Sequence, residues 1–238
     1  MPKILAIDTS ATPVSCAIVQ DERVLASVYA HTGSTHSQTL MPMIEHALKI
    51  TNLTVKDIDA LAVNSGPGSF TGVRIGVSTV KGLAFTDKKP CVEVSTLESM
   101  AENMRGLPIE ATVCCVMDAR CQQVYTALFS LDCDGRVERM TQDEAMAIED
   151  LRTNLQKIHT SIYLVGDGAQ ICYDALKETI TSLHLSPLAL RYQSAMGVAG
   201  VALRKFREGQ TVSSKELMPR YLRLPQAERE LRSRQGKE

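Results

Sequence analysis

The sequence predicts an α/β protein made of two copies of one βββαβαβα unit. Three observations favour this class: β-rich segments come in groups of three, helical segments then alternate with buried strands, and the pattern of the first half returns in the second. Each group opens with an apolar strand that ends in aspartate, at Asp8 and at Asp118, about half the chain apart. We therefore expect a tandem repeat of one fold rather than a single large sheet.

The first unit begins with a meander of three strands and continues with alternating helices and strands. Continuous or alternating apolar residues mark the strands, and apolar residues three and four apart mark the helices. The predicted elements are strands over 3–9, 14–19 and 23–30, a helix over 36–51, a strand over 59–64, a helix over 70–85, a strand over 91–94 and a helix over 96–104.

The second unit repeats this order around a turn at Asp134 and Gly135. The predicted elements are strands over 112–118, 123–130 and 136–140, a helix over 143–158, a strand over 161–165, a helix over 169–182, a short strand near Leu188 and a helix over 195–208. The Arg-Gly-Leu-Pro stretch over 105–108 is the natural boundary. We therefore expect an N-terminal unit over 1–106, a C-terminal unit over 107–214 and a basic, partly disordered tail over 215–238.

The composition of the 238-residue chain is that of a globular protein, with 44% hydrophobic and 22% charged residues. Its net charge of −1 gives no overall field that attracts a polyanion or an anionic membrane. Aromatic residues make up only 4%, which argues against a dedicated binder of single-stranded nucleic acid. No apolar run approaches the roughly 18 to 20 residues that cross a bilayer, and Asp8 interrupts the first run too early for a signal peptide. Seven Cys without a CxxC pair fit reduced thiols, so we expect a cytoplasmic protein.

The most distinctive motif is the glycine-rich run NSGPGSFTGVRIG over 64–76. A strand that enters such a loop before a helix presents free backbone N–H groups at the positive end of the helix dipole, which suits a phosphate. The GK[ST] ending of a P-loop is missing, so a second interpretation stays open: the glycines allow a tight turn and close helix packing. The candidate phosphate-binding residues of this loop are Gly66, Gly68 and Ser69.

The end of the first strand carries the second candidate for ligand binding, at Asp8, Thr9 and Ser10. The oxygen atoms of these side chains can bind a metal or a phosphate, but an aspartate at the end of a strand is more often a turn residue. Among the five histidines, His31 and His36 are five apart and do not share a helix face as HExxH zinc ligands do. We therefore expect no catalytic residue and no metal site.

The two helices of the first unit have more apolar surface than one sheet face needs. A helix that is apolar nearly all round is covered on more than one side, so we expect a protein-binding face, with mutual cover of the two helices as the alternative. The candidate partner-binding residues are His36, Leu40, Met43, Ile44 and Ala47 of the first helix and Phe70, Val73, Arg74, Val77, Val80, Lys81 and Ala84 of the second.

Four stretches together resemble the bacterial TsaB (YeaZ) family: ILAIDTS over 4–10, the run over 64–76, LVGDGA over 164–169 and PRYLR over 219–223. The resemblance covers nearly the whole chain, and GPGSFTGxRIG is its most specific part. It implies a tandem fold of the actin/Hsp70/sugar-kinase (RNase H-like) type. It also implies a non-catalytic dimerisation subunit that binds and activates a TsaD-like enzyme making N6-threonylcarbamoyladenosine beside the tRNA anticodon.

The same resemblance implies the partners. A TsaE-like ATPase and ATP complete the complex, the chain alone binds no cofactor and forms a homodimer, and tRNA is contacted through the complex. TsaD-like proteins bind a metal through HxxxH, and Thr96 and Met100 stand at those positions here. A hydroxyl and a thioether do not replace two imidazoles. The alternatives are an independent ATP-dependent phosphotransferase or ATPase that uses Asp8 and the glycine loop, and a metallopeptidase, which the missing ligands disfavour.

Overall fold

The computed structural model describes residues 1–223, which form two sheets with helices on their faces. The first half contains β1 (Lys3–Asp8), β2 (Val14–Gln20), β3 (Arg23–Ala30), α1 (His36–Ile50), β4 (Ala60–Gly66), α2 (Phe70–Phe85), β5 (Cys91–Ser95) and α3 (Thr96–Glu102). The second half contains β6 (Ala111–Asp118), β7 (Gln123–Leu131), β8 (Val137–Arg139), β9 (Glu144–Ala147), α4 (Ile148–Leu155), β10 (Ser161–Val165), α5 (Ala169–Leu176), β11 (Leu183–Leu185), α6 (Leu188–Arg191) and α7 (Ala195–Arg207).

The two sheets share one topology. The first has the order β3-β2-β1-β4-β5, with an antiparallel meander on one side of β1 and parallel strands on the other. The second has the order β11-β10-β6-β7-β8, in which β6 takes the place of β1, and β9 also pairs with β7. The predicted tandem fold is confirmed. The carboxyl ends of the parallel strands, where ligands of open α/β sheets bind, carry the loops after β1, β4, β6 and β10.

Three predictions in the second half are wrong. The predicted helix over 143–158 is a strand, β9, followed by the shorter helix α4, because residues 144–147 pair with β7 and place Met146 against the core. The strand predicted near Leu188 lies earlier, at β11, and residues 188–191 are helical. The helix predicted over 169–182 ends at Leu176.

The last helix of each half packs against the sheet of the other half. The apolar residues of α7 cover the face of the first sheet that presents Ile4 and Ala62. Correspondingly, Leu97 and Met100 of α3 lie in the core cluster of the second sheet. The predicted boundary near residue 106 therefore separates two sheets, but the two halves share their cores.

The first part of the predicted tail is ordered. We call residues 215–223 the strap. Leu217 is fully buried in the core of the first half, and the backbone N–H of Arg220 donates to the carbonyl of Ser65 at 2.7 Å. The expectation of a partly disordered end is therefore corrected for the strap, and residues 224–238 lie outside the described part of the chain.

Candidate functional site

A cleft of about 470 Å³ lies between the two halves at the carboxyl ends of the strands. Loops after β1, β4, β6 and β10 form its walls, and the end of the strap forms one side. Three of the six candidate phosphate-binding residues line it, namely Ser10, Gly68 and Ser69. The volume is within the range of ligand pockets in general.

Asp8 fastens the loop after β1. One carboxylate oxygen accepts from the backbone N–H of Ser10 at 2.9 Å and from its hydroxyl at 2.7 Å, and the other accepts from the Asn64 amide at 2.8 Å. Burial raises the pKa of Asp8, while the hydrogen bonds from Ser10 and Asn64 oppose that shift. Asp8 does not line the cleft, so its placement fits the turn-residue interpretation.

The glycines of the 64–76 run allow close contact between backbones. Gly66 has φ +127°, and the Arg220 carbonyl occupies the place where a Cβ would lie. The Thr9 carbonyl occupies the same place beside Gly72, and the Thr9 hydroxyl donates to the Gly72 carbonyl at 2.7 Å. This geometry favours the close-packing interpretation, because the strap and the β1 loop already cover Gly66 and Gly72.

Acidic side chains from the second half form part of the cleft wall. Asp118 follows β6 and accepts from the Arg120 N–H at 2.7 Å, and Asp167 follows β10 and accepts from the Gln193 amide at 2.7 Å. Burial is the main cause that raises the pKa of Asp167, and the charge of Asp118 adds to it. Sequence reasoning missed Asp167, although Gly-Asp-Gly after a buried strand is a signal that points to it.

The two positions that the resemblance assigns to metal ligands lie in the interior. Thr96 is the first residue of α3 and is fully buried, and Met100 is fully buried in the core beneath the second sheet. Their donor atoms are a hydroxyl and a thioether, which are poor ligands for a hard or borderline divalent metal. The residues present therefore do not fit the metal of the catalytic relatives.

Most of the candidate partner-binding residues belong to the core of the first half. The assignment of these side chains to a partner-facing surface is corrected, because they are at most 3% exposed and hold the two helices on their own sheet. They are Leu40, Ile44, Ala47, Val73, Val77, Val80 and Ala84. Met43 is half-buried against the same core, and His36 is half-buried with its Nε2 atom 3.1 Å from the Thr12 carbonyl.

The outward face of α2 carries a different row of residues, spaced alternately four and three apart. We call it the α2 seam. Four of its residues are exposed, with Phe85 at 73%, and Ile75 is half-buried. The seam consists of Thr71, Ile75, Ser78, Gly82 and Phe85.

The strap runs along one flank of α2, beside the seam. The Lys81 ammonium donates to the Leu217 carbonyl at 3.0 Å, and Arg74 Nε donates to the Tyr221 hydroxyl at 2.8 Å. The rings of Phe70 and Tyr221 lie 4.9 Å apart. The other three predicted residues of α2 therefore contact the strap of the same chain.

The two sheets and their helices have the fold of the actin/Hsp70/sugar-kinase class. A Clostridium difficile structure, the activator of 2-hydroxyisocaproyl-CoA dehydratase with bound ADPNP, shares the fold, with a TM-score of 0.51, 13% identity and coverage of 87% of this chain and 97% of that one. Residues 30–231 match the family described as TsaD: tRNA N6-adenosine threonylcarbamoyltransferase.

Full-length relatives narrow this class. The Escherichia coli protein named tRNA threonylcarbamoyladenosine biosynthesis protein TsaB is 33% identical over 93% of this chain and 94% of its own length. A Pseudomonas aeruginosa structure titled YeaZ has a TM-score of 0.75 at 26% identity and covers 93% of this chain and 100% of that one. The chain belongs to the TsaB (YeaZ) family.

Proposed function

We propose that the chain is the non-catalytic partner subunit of a TsaD-like enzyme in the synthesis of N6-threonylcarbamoyladenosine on tRNA. The names of the relatives support the pathway, and the match to the TsaD family supports a common architecture for the two subunits. Binding between them activates the enzyme. A TsaE-like ATPase and ATP complete the complex, which contacts tRNA, and the chain alone forms a homodimer.

The α2 seam is the observation that carries this proposal. Alternating spacings of four and three place its residues along one stripe of the helix, as in helix–helix packing. Ser78 and Gly82 are small, and a Cβ on Gly82 would meet no atom within 4 Å, so another helix has room to approach closely. The seam is apolar at Ile75 and Phe85, and Phe85 is the most exposed aromatic side chain among residues 1–223.

The interior supports the absence of catalysis by this chain. Thr96 and Met100 supply poor metal ligands. Both carboxylate oxygens of Asp8 already accept hydrogen bonds, one from Ser10 and the other from Asn64. An independent ATPase that uses Asp8 is therefore less well supported. In the described part of the chain, every helix is too short or too polar to cross a membrane. We also propose that the protein acts in the cytoplasm, where tRNA is modified.

A charge on the seam tests the proposal. Ser78→Arg places a long cation on the middle of the seam, and Thr153→Arg on the exposed face of α4 is the matched control. Both positions are exposed, so both variants are expected to keep the unfolding midpoint of the wild type within a few degrees. We expect Ser78→Arg to weaken binding to the TsaD-like subunit at least 100-fold and Thr153→Arg to leave it unchanged, measured by titration calorimetry. Equal affinities for the wild type and Ser78→Arg would place the interface elsewhere.

A further inference from the structure

Arg74 is held in one orientation beside the seam. Its guanidinium carbon lies 3.7 Å from the centroid of the Phe70 ring, and its Nε donates to the Tyr221 hydroxyl at 2.8 Å. Stacking fixes the plane of the guanidinium, and the hydrogen bond fixes its rotation within that plane. Tyr221 is itself positioned by the strap, which is anchored by buried Leu217 and by the hydrogen bond from Arg220 to Ser65.

The two terminal nitrogens of Arg74 make no hydrogen bond and no ion pair within residues 1–223. Several other arginines among residues 1–223 do use theirs: Arg220 pairs with Glu93 at 2.8 Å, and Arg204 pairs with Glu102 at 2.8 Å. Arg74 is exposed. The Nε atom is hydrogen-bonded to Tyr221, so the two terminal nitrogens of the planar guanidinium are already oriented and free to donate. This is the geometry that binds a carboxylate or a phosphate through two parallel hydrogen bonds.

We propose that Arg74 binds a carboxylate on the helix of the TsaD-like partner that packs along the α2 seam. The inference rests on the proposed function. Arg74 lies three residues after Thr71 and four before Ser78, so it flanks the seam where a partner side chain is within reach. The seam of small and apolar residues fits a protein helix better than an RNA backbone, and the net charge of −1 gives no general attraction to a polyanion. The strap thus holds Arg74 in the orientation that this contact needs.

Titration calorimetry of the full chain with the TsaD-like subunit tests this pair. We expect Arg74→Ala to weaken binding about 10- to 100-fold and to reduce the salt dependence of the affinity. We expect Arg74→Lys to restore only part of the loss, because an ammonium lacks the planar fork. Arg136→Ala, which removes an exposed arginine in the turn before β8, is the matched control and is expected to bind like the wild type.

Tyr221→Phe is a second test, which leaves the guanidinium of Arg74 in place. It removes the hydroxyl that accepts from Nε, and we expect it to weaken binding about 3- to 10-fold in the wild type but by less than twofold when Arg74 is already Ala. Equal effects of Tyr221→Phe in both backgrounds would overturn the proposal, since the tyrosine would then act independently of Arg74.

The outcomes separate this inference from the proposed function. If Ser78→Arg abolishes binding while Arg74→Ala stays within twofold of the wild type, the subunits dock on the seam but the carboxylate contact is wrong. If both variants bind like the wild type, the docking surface itself is wrong. If Arg74→Ala binds the subunit normally and instead weakens retention of tRNA by the complex in a filter-binding assay, the ligand is an RNA phosphate and the inference is overturned.

Discussion

Glycine has opposite roles at two positions of α2. Gly72 faces the carbonyl of Thr9, whereas a Cβ on Gly82 would meet no atom within 4 Å. Both have ordinary helical backbones, so alanine gains the same helix propensity at each position, about 1 kcal/mol. We expect Gly82→Ala to raise the free energy of unfolding by about 0.5–1 kcal/mol and Gly72→Ala to lower it by about 1–3 kcal/mol through overpacking.

Urea denaturation of the two variants measures the difference. The shared helix and the shared substitution make Gly82→Ala the control for propensity. Equal stabilisation by both variants would mean that the contact between α2 and the β1 loop is looser than the structure describes.

Ionisation of Asp8 lowers the stability of the folded protein, because the side chain is buried. Because burial raises its pKa in the folded protein, the folded state binds a proton more tightly than the unfolded state. The stability that Asp8 contributes therefore falls as pH rises from its ordinary pKa of 3.8 through the raised value, and stays low above it. We expect Asp8→Asn to gain stability relative to the wild type as pH increases.

Its neighbour makes this substitution structurally tolerable. The Asn64 side-chain oxygen is buried without a hydrogen-bond partner in residues 1–223, so a flipped Asn64 amide accepts from an asparagine at position 8. Unfolding midpoints of both proteins between about pH 3 and 8, a range that begins below the ordinary pKa of Asp8, test the expectation. A constant difference across that range would show that Asp8 titrates alike in both states. ATP turnover by the chain alone that Asp8→Asn abolishes would instead support the ATPase alternative.

Residue types alone did not distinguish the two interpretations of Asp8, because burial depends on contacts far apart in sequence. Asn64 lies 56 positions from Asp8, and Asp167 and Gln193, which also meet, are 26 positions apart. The apolar residues of α1 and α2 posed a related problem. Periodicity correctly predicts which helices they form. It does not show whether a given apolar face packs on the protein's own sheet or on a partner.

At the scale of elements, the strap is part of the core of the first half. Leu217 is fully buried and Leu222 is 39% exposed, although both belong to the same segment. We expect Leu217→Ala to lower the free energy of unfolding by about 2–5 kcal/mol and Leu222→Ala to change it by less than about 0.5 kcal/mol. Thermal unfolding measures both, and equal midpoints would show that the strap is not packed.

The sequence predicted most elements of the first half and misassigned those of the second half where local and tertiary preferences conflict. Residues 144–147 read as helical, yet pairing with β7 makes them a strand. The order of the strap was not predicted for a similar reason. Its basic composition is typical of a solvated end, whereas the burial of Leu217 and the contact with Gly66 that order it depend on tertiary structure.

At the scale of the whole molecule, the exchange of terminal helices joins the halves into one folding unit. An ion cluster strengthens this joint, since Glu98 of α3 lies near Arg139 at 3.9 Å, Arg204 at 3.8 Å and Lys205 at 3.6 Å. We expect the full chain to unfold in one transition, with equal calorimetric and van't Hoff enthalpies. We also expect a fragment over 1–106 to fail to fold, because it lacks α7 over one sheet face. Two separate transitions, or a folded fragment, would contradict this description.

We propose that this chain acts by binding a TsaD-like enzyme. The most direct test of this claim is a reconstituted assay of N6-threonylcarbamoyladenosine formation with the TsaD-like and TsaE-like subunits, ATP and the remaining substrates. We expect the modified nucleoside, measured by mass spectrometry after digestion of the tRNA, to form with the wild-type chain and with Thr153→Arg. We expect at least a tenfold lower yield when the chain is omitted or replaced by Ser78→Arg. Equal yields with and without the chain would contradict the claim.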